Sequence, residues 1–148
     1  MKAVIQRVAH CSVRVDNQPV GEIGLGILVL LGVGQEDSSE DIPKLFDKIV
    51  NLRIFPNDEG KFDRSLLDVG GQILIVSQFT LFGDCRKGRR PNFSAASPPN
   101  QAEKLYLESI HYCQNLGIAT QSGQFGAMMQ VELTNDGPVT LILDTETL

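Results

Sequence analysis

Tryptophan is absent from this 148-residue chain, histidine and tyrosine occur twice each, and cysteine three times. Each shortage excludes something. Cys11, Cys85 and Cys113 are odd in number and match no zinc or redox spacing, so neither a disulfide framework nor a metal cluster is expected, and a reducing compartment fits best. The longest apolar run, Ile23 to Val33, is broken by glycines and too short to cross a bilayer, while the opening MKAVIQRVAH lacks the apolar core of a secretory leader. A soluble, cytoplasmic protein without membrane contact is predicted. No G-x-S-x-G elbow, Walker loop, G-x-G-x-x-G fingerprint or H-E-x-x-H helix occurs. His10 and His111 fall in a predicted strand and a predicted helix, with no spacing that pairs either with a nucleophile. Cys85 lies beside a basic stretch where a thiolate could form, but no base accompanies it.

Positive charge is scarce as well. The formal net charge is −5, unlike the basic balance of a general nucleic-acid binder. Arg86-Lys87-Gly88-Arg89-Arg90 concentrates four cations, which leaves −9 on all other residues. One basic loop on an acidic body suits a single polyanion contact and repels phosphate elsewhere, although a solvated loop reads the same from composition.

Apolar periodicity supplies the architecture. Val4, Val8, Val13 and Val15 alternate imperfectly, as in a long strand with a bulge near His10-Cys11, followed by a turn at Asp16-Asn17-Gln18-Pro19. Val20 to Ile23 and Leu25 to Val33 read as strands, the second so apolar that both faces should be buried. Ser38-Ser39-Glu40-Asp41 has the form of a capping box, and Ile42, Leu45, Phe46, Ile49 and Val50 follow at helical spacing to about Leu52. Gly70-Gly71 introduces the buried strand Ile73 to Val76, which runs into Ser77-Gln78-Phe79-Thr80. A long exposed loop spans Gly83 to Asn100. Pro98-Pro99 open a second helix with Ala102, Leu105, Tyr106, Ile110 and Cys113 on one face, ending at Gly117. Two strands, Met129 to Thr134 and Val139 to Leu143, close the chain, joined by a hairpin connection at Asn135-Asp136-Gly137-Pro138. Residues 1–148 therefore predict one α+β domain whose sheet curls into a barrel or half-barrel flanked by two main helices, with the strand order undetermined.

Two polar segments stand where predicted strands end. Ser77, Gln78, Phe79 and Thr80 offer hydroxyls and free backbone N–H groups on a rigid support, although strand-end Ser and Thr taken alone are more often backbone caps. Asn135-Asp136-Gly137-Pro138-Val139-Thr140 by itself is turn chemistry. Taken together, S-Q-F-T after an apolar strand and N-x-G-P-x-T near the C-terminus resemble the paired signature of the D-aminoacyl-tRNA deacylases. The opening MKAVIQRV, Gly26 to Val33, Leu52-Arg53-Ile54-Phe55 and Phe93-Ser94 resemble that family in the same order, so the likeness covers the whole chain.

That resemblance implies hydrolysis of the ester between tRNA and a D-amino acid, without cofactor or metal. It further implies a homodimer in which a cis Gly137-Pro138 enters the other subunit's pocket and, with Asn135 and Thr140, forms a gate that rejects L side chains by excluded volume. Glycyl-tRNA, with no side chain, should pass the gate. Ser77, Gln78, Phe79 and Thr80 become the catalytic segment, with the backbone N–H groups of Phe79 and Thr80 as oxyanion donors. Thr80 as a nucleophile needs an adjacent base that the sequence does not supply, and the tRNA's terminal 2′-hydroxyl is the substitute helper for water. Arg86, Lys87, Arg89 and Arg90 then hold the acceptor end of the aminoacyl-tRNA. Two other readings compete: a non-catalytic RNA-binding barrel stacking bases on Phe79 or Phe82, and a different small esterase with its own general base.

Overall fold

The computed structural model describes residues 1–148. The chain runs through β1 (Lys2–Val15), β2 (Gln18–Ile23), β3 (Gly26–Gly32), α1 (Asp41–Asn51), the short β4 (Phe55–Pro56) and β5 (Phe62–Arg64), β6 (Gln72–Ser77), a 3-10 turn (Phe79–Phe82), α2 (Pro99–Asn115), β7 (Thr120–Ser122) and β8 (Gln130–Asp144). The fourteen-residue β1 organises the sheet. One of its edges is shared end to end by β3, along Lys2 to Val8, and β2, along Cys11 to Val15, while β8 pairs antiparallel with the other edge from Lys2 to Arg14. Beyond β3 lie β6 and β7, both in parallel register. The sheet curls until β2 meets β7. Gly21 permits this contact, because a Cβ there would stand 2.4 Å from the Ser122 carbonyl oxygen.

Two buried clusters fill the curl. Ala3, Ile5, Ile27, Val29, Leu31, Ile73 and Ile75 face both helices, and Val8, Cys11, Val13, Ile23, Leu28, Leu74 and Val76 form the second cluster. Strand β3 supplies both, so it is buried on its two faces as its unbroken apolar run predicts. Strand β1 changes cluster between Ile5 and Val8. Its register against β8 shifts between Gln6 and Val8 and again between Val8 and His10. The second shift gives β1 one extra residue, Ala9, next to His10, which is the bulge expected near His10-Cys11, and the breaks re-aim the alternate side chains that follow.

The helices obey their periodicity. All five predicted apolar residues of α1 are buried, as are Ala102, Leu105, Tyr106, Ile110 and Cys113 of α2. The Ser38 capping box is only half formed. Glu40, not Ser38, is the N-cap, while the Asp41 carboxylate accepts the Ser38 N–H at 2.9 Å. Asp16 and Asn17, with φ of 50° and 62°, make a two-residue hairpin turn, so Gln18 and Pro19 belong to β2 and not to the turn. Each of the parallel pairs β3/β6 and β6/β7 is joined across a helix, a regularity that the sequence hid because β7 is only three residues long.

Candidate active site

Parallel strands β3, β6 and β7 end together, and the crevice outside such carboxyl ends is a common place for ligands in α/β sheets. Strand β6 stops at Ser77, opposite Leu31, and the Gln78 N–H donates to the Leu31 carbonyl at 2.7 Å. Phe79 and Thr80 are not strand-end residues, as expected from sequence, but the first two residues of the 3-10 turn. That difference sharpens their chemistry. The first bond of the turn runs from Leu81 N–H to the Gln78 carbonyl at 3.1 Å, so the Phe79 and Thr80 N–H groups precede it and have no partner within the turn. The Thr80 hydroxyl accepts a hydrogen bond from the Gln78 side-chain amide and touches no acid, base or imidazole. Phe79 is 54% exposed and meets Phe93 edge-on, with ring centroids 5.1 Å apart.

The second segment is not a hairpin. A hairpin needs its two arms to pair with each other, whereas both arms here are parts of β8 and pair with successive stretches of β1. Gln6 lies opposite Thr140 and Val8 opposite Asn135, so Asp136 to Val139 bulge out where β1 spends only Arg7. The Gly137-Pro138 peptide in this bulge is cis, and both residues are exposed. Glycine is required: φ is +132°, and a Cβ would meet Val139 Cγ2 at 2.7 Å and Arg7 Nη2 at 3.0 Å. Asn135 and Thr140 brace the bulge. Val139 N–H donates to Asn135 Oδ1 at 2.8 Å, and Asn135 Nδ2 and Gln6 Nε2 donate to Thr140 Oγ1 at 3.0 and 3.1 Å.

Arg7 is the residue that sequence reasoning missed. It is buried, donates from Nε to the Asp136 carbonyl at 3.0 Å and from Nη1 to the Ile54 carbonyl at 2.5 Å, and sits 3.0 Å from Asp136 Oδ2. Its guanidinium also lies 5.6 Å from the centroid of the exposed Phe62 ring. An arginine amid the apolar residues of β1 was the available signal, since a buried guanidinium must find acceptors.

Arg86, Lys87, Arg89 and Arg90 project from an exposed loop pinned at its base by the Asp84–Asn92 bridge. Arg86 makes a forked pair with Asp84 at 2.9 and 2.7 Å, and this pairing holds the Asp84 carboxyl below the usual carboxylate range. Lys87, Arg89 and Arg90 have no acidic partner in the chain. Cys85 is exposed, His111 is exposed on α2, and His10 pairs with the exposed Glu22 at 2.8 Å.

Within one chain the two segments stay apart. Ser77 lies opposite Leu31, while Arg7, beside the bulge, lies opposite Ile27 and so level with Ile73. Three strand spacings of about 4.8 Å and four residues at about 3.3 Å place the segments roughly 20 Å apart along the sheet.

Residues 4–144 match the family model described as D-Tyr-tRNA(Tyr) deacylase. The chain is 57% identical over 146 residues to the D-aminoacyl-tRNA deacylase of Thermosipho africanus, covering 99% of this chain and 98% of that protein. It is 60% identical over 145 residues to the enzyme of the same name from Herpetosiphon aurantiacus, with 98% and 95% covered. Among solved structures, one titled c-Myc DNA Unwinding Element Binding Protein superposes with a TM-score of 0.91 at 42% identity, covering 97% of this chain and 98% of that one. A probable eukaryotic D-amino acid tRNA deacylase shares the fold, with a TM-score of 0.82 at 20% identity over 96% and 97%.

Proposed function

Because this chain belongs to the D-Tyr-tRNA(Tyr) deacylase family, we propose that it hydrolyses the ester joining a D-amino acid to tRNA, working in the cytoplasm as a homodimer whose subunits complete each other's site. The observation that carries the mechanism is the pair of N–H groups at Phe79 and Thr80, unclaimed by their own turn and beside a threonine that has no base. Fixed backbone donors suit the oxyanion that forms when water attacks an ester carbonyl, and they need no reorganisation as charge develops. Thr80 supports this geometry and does not attack. The water is assisted by the substrate's own terminal 2′-hydroxyl.

The roughly 20 Å between the two segments motivates the dimer. Gly137-Pro138 has no route to the Phe79–Thr80 donors of its own chain but can reach those of a second copy. An apolar row supports a contact on the helix-free face: Ile142, 80% exposed, lies beside Val4, and Val4 beside Leu30. The Val4–Leu30 pair stands close to the midpoint between the two segments. A two-fold axis running between two such faces above that pair sets one subunit's gate over the other's catalytic turn. There the gate occupies the space an L side chain needs, whereas D-aminoacyl and glycyl esters fit. Arg86, Lys87, Arg89 and Arg90 hold acceptor-end phosphates.

Hydrolysis of D-tyrosyl-tRNA, L-tyrosyl-tRNA and D-tyrosyl-tRNA ending in 2′-deoxyadenosine by the purified protein tests this reading. Only the first should be cleaved rapidly. Fast cleavage of the 2′-deoxy substrate, or a covalent aminoacyl-Thr80 trapped by rapid quench, would restore a protein nucleophile.

A further inference from the structure

Beyond the catalytic turn lies a cavity whose lining includes none of Ser77 to Thr80 or Asn135 to Thr140. It measures about 690 Å³ and is lined by Lys2, Phe82, Cys85, Arg86, Asn92 and Ser94, among others. Its position is defined by chain order. The oxyanion donors stand at the start of the 3-10 turn, Phe82 at its end, and the cations of the basic loop follow directly. The lining of the cavity accordingly runs from the end of that turn, Leu81 and Phe82, to the base of the basic loop, Asp84 to Arg86 and Asn92.

Its walls have the chemistry of a nucleotide site. The Lys2 ammonium lies 4.9 Å from the centroid of the half-buried Phe82 ring, which puts a cation and an aromatic surface side by side. Asn92 Oδ1 accepts the Ser94 N–H at 2.8 Å, which leaves the Asn92 side-chain NH2 donors unused. Arg86 spends Nε and Nη2 on Asp84 and keeps Nη1. Acid is present too: Asp84 lines the cavity, and Asp144 stands 3.7 Å from the Lys2 ammonium. Each of the two lining cations thus has one carboxylate beside it, and the excess positive charge comes from Lys87, which follows in the chain.

We propose that this cavity is a subsite for the nucleotide preceding the terminal adenosine of tRNA, which is a cytidine, with its base against Phe82 and its phosphate toward Lys2 and Arg86. The inference rests on the deacylase reading and deepens it. Substrate held here gains affinity away from the ester, and that binding energy helps position the reacting carbonyl.

The test compares D-tyrosyl-tRNA with D-tyrosyl-adenosine, the same ester without the preceding nucleotide, on the full-length protein carrying Lys2→Gln or Phe82→Leu. Loss of a stacked base or a phosphate contact should lower kcat/KM for the tRNA about tenfold, with the adenosine ester affected less than about twofold. Replacing the penultimate cytidine with an abasic residue should lower wild-type activity by a similar factor, with no further loss on adding Phe82→Leu. Lys2→Gln alters a half-exposed side chain at the start of β1, so it keeps the test valid if Phe82→Leu unfolds. Equal losses on both esters would make the cavity the reacting nucleotide's own site, and no loss on either would make it plain surface; each result overturns the proposal. Wild-type cleavage of the adenosine ester reports separately on the deacylase reading, and a wild type that cleaves neither ester overturns both.

Discussion

Arg7→Lys probes the gate most directly. The wild-type guanidinium binds two carbonyls that belong to different parts of the chain, Asp136 in the bulge and Ile54 ahead of β4, and it lies against the Asp136 carboxylate. A hydrogen bond from a charged donor contributes about 1.5–3 kcal/mol. The Asp136 side chain is 45% exposed, so the ion pair adds only about 0–1 kcal/mol. A lysine carries one ammonium where the arginine carries a fork, and it satisfies one carbonyl or the other. The expected loss is therefore about 1.5–3 kcal/mol, equivalent to roughly 5–10 °C in Tm for a domain of this size.

The part of that loss that falls on Asp136 frees the Asp136-Gly137 backbone to shift. Rejection by excluded volume depends on an immobile obstacle, so discrimination should suffer more than catalysis. Initial rates on D- and L-tyrosyl-tRNA should give a D/L ratio lower than wild type by about tenfold, the equivalent of about 1.4 kcal/mol, with the D rate changed less. A lowered Tm with an unchanged D/L ratio would refute the reasoning and leave Arg7 as scaffold alone.

Other outcomes follow from the same geometry. Glycyl-tRNA should be cleaved at enzyme levels that clear the D-tyrosyl ester, and its survival there would count against steric exclusion. Replacing Arg86, Lys87, Arg89 and Arg90 with alanine should weaken tRNA binding and flatten its salt dependence, whereas a preserved affinity and slope would reduce the loop to solvated surface. Stability should fall in alkali. Burial pushes the Cys113 and Cys11 thiols up to about 12 and about 11, from 9.0 in an unburied thiol. The folded protein keeps those protons while the unfolded chain sheds them, so the stabilisation is complete well below pH 9 and is lost from pH 9 to about 11 for Cys11 and to about 12 for Cys113, at up to about 2–3 kcal/mol per unit where both contribute. Urea midpoints at pH 8 and pH 10 measure this, and equal midpoints would contradict the burial.

The parts of the fold that were legible in the sequence are those governed by local rules. The helix α1 obeys a 3.6-residue period and α2 is bounded by Pro98-Pro99 and Gly117, so both were found with their buried faces. Strand β3 announced two-sided burial by its unbroken apolar run. What failed was pairing, which depends on residues far apart. A Gly-Pro between two apolar strands has the same local chemistry whether it turns a hairpin or bulges from one long strand. The choice was made by β1, which is long enough to pair with both arms. Strand β7 and the β4–β5 hairpin were missed because two or three residues carry no period.

The same distinction explains why the site was readable as residue types before it was readable as a place. Ser77 to Thr80 and Asn135 to Thr140 each carry their own local geometry, and the chain fixes each rigidly. Their relation to each other lies in the sheet. Two intervening strands, β1 and β3, and a register offset of four residues separate them, and no property of either segment encodes that separation. Arg7 is the exception, because it joins both levels. It is one residue of β1, set opposite the bulge by the register, and its side chain reaches the Asp136 and Ile54 carbonyls together. On the proposed reading the obstacle must be tied to the strand that organises the sheet, and a buried guanidinium with two carbonyl acceptors makes that tie with a single side chain.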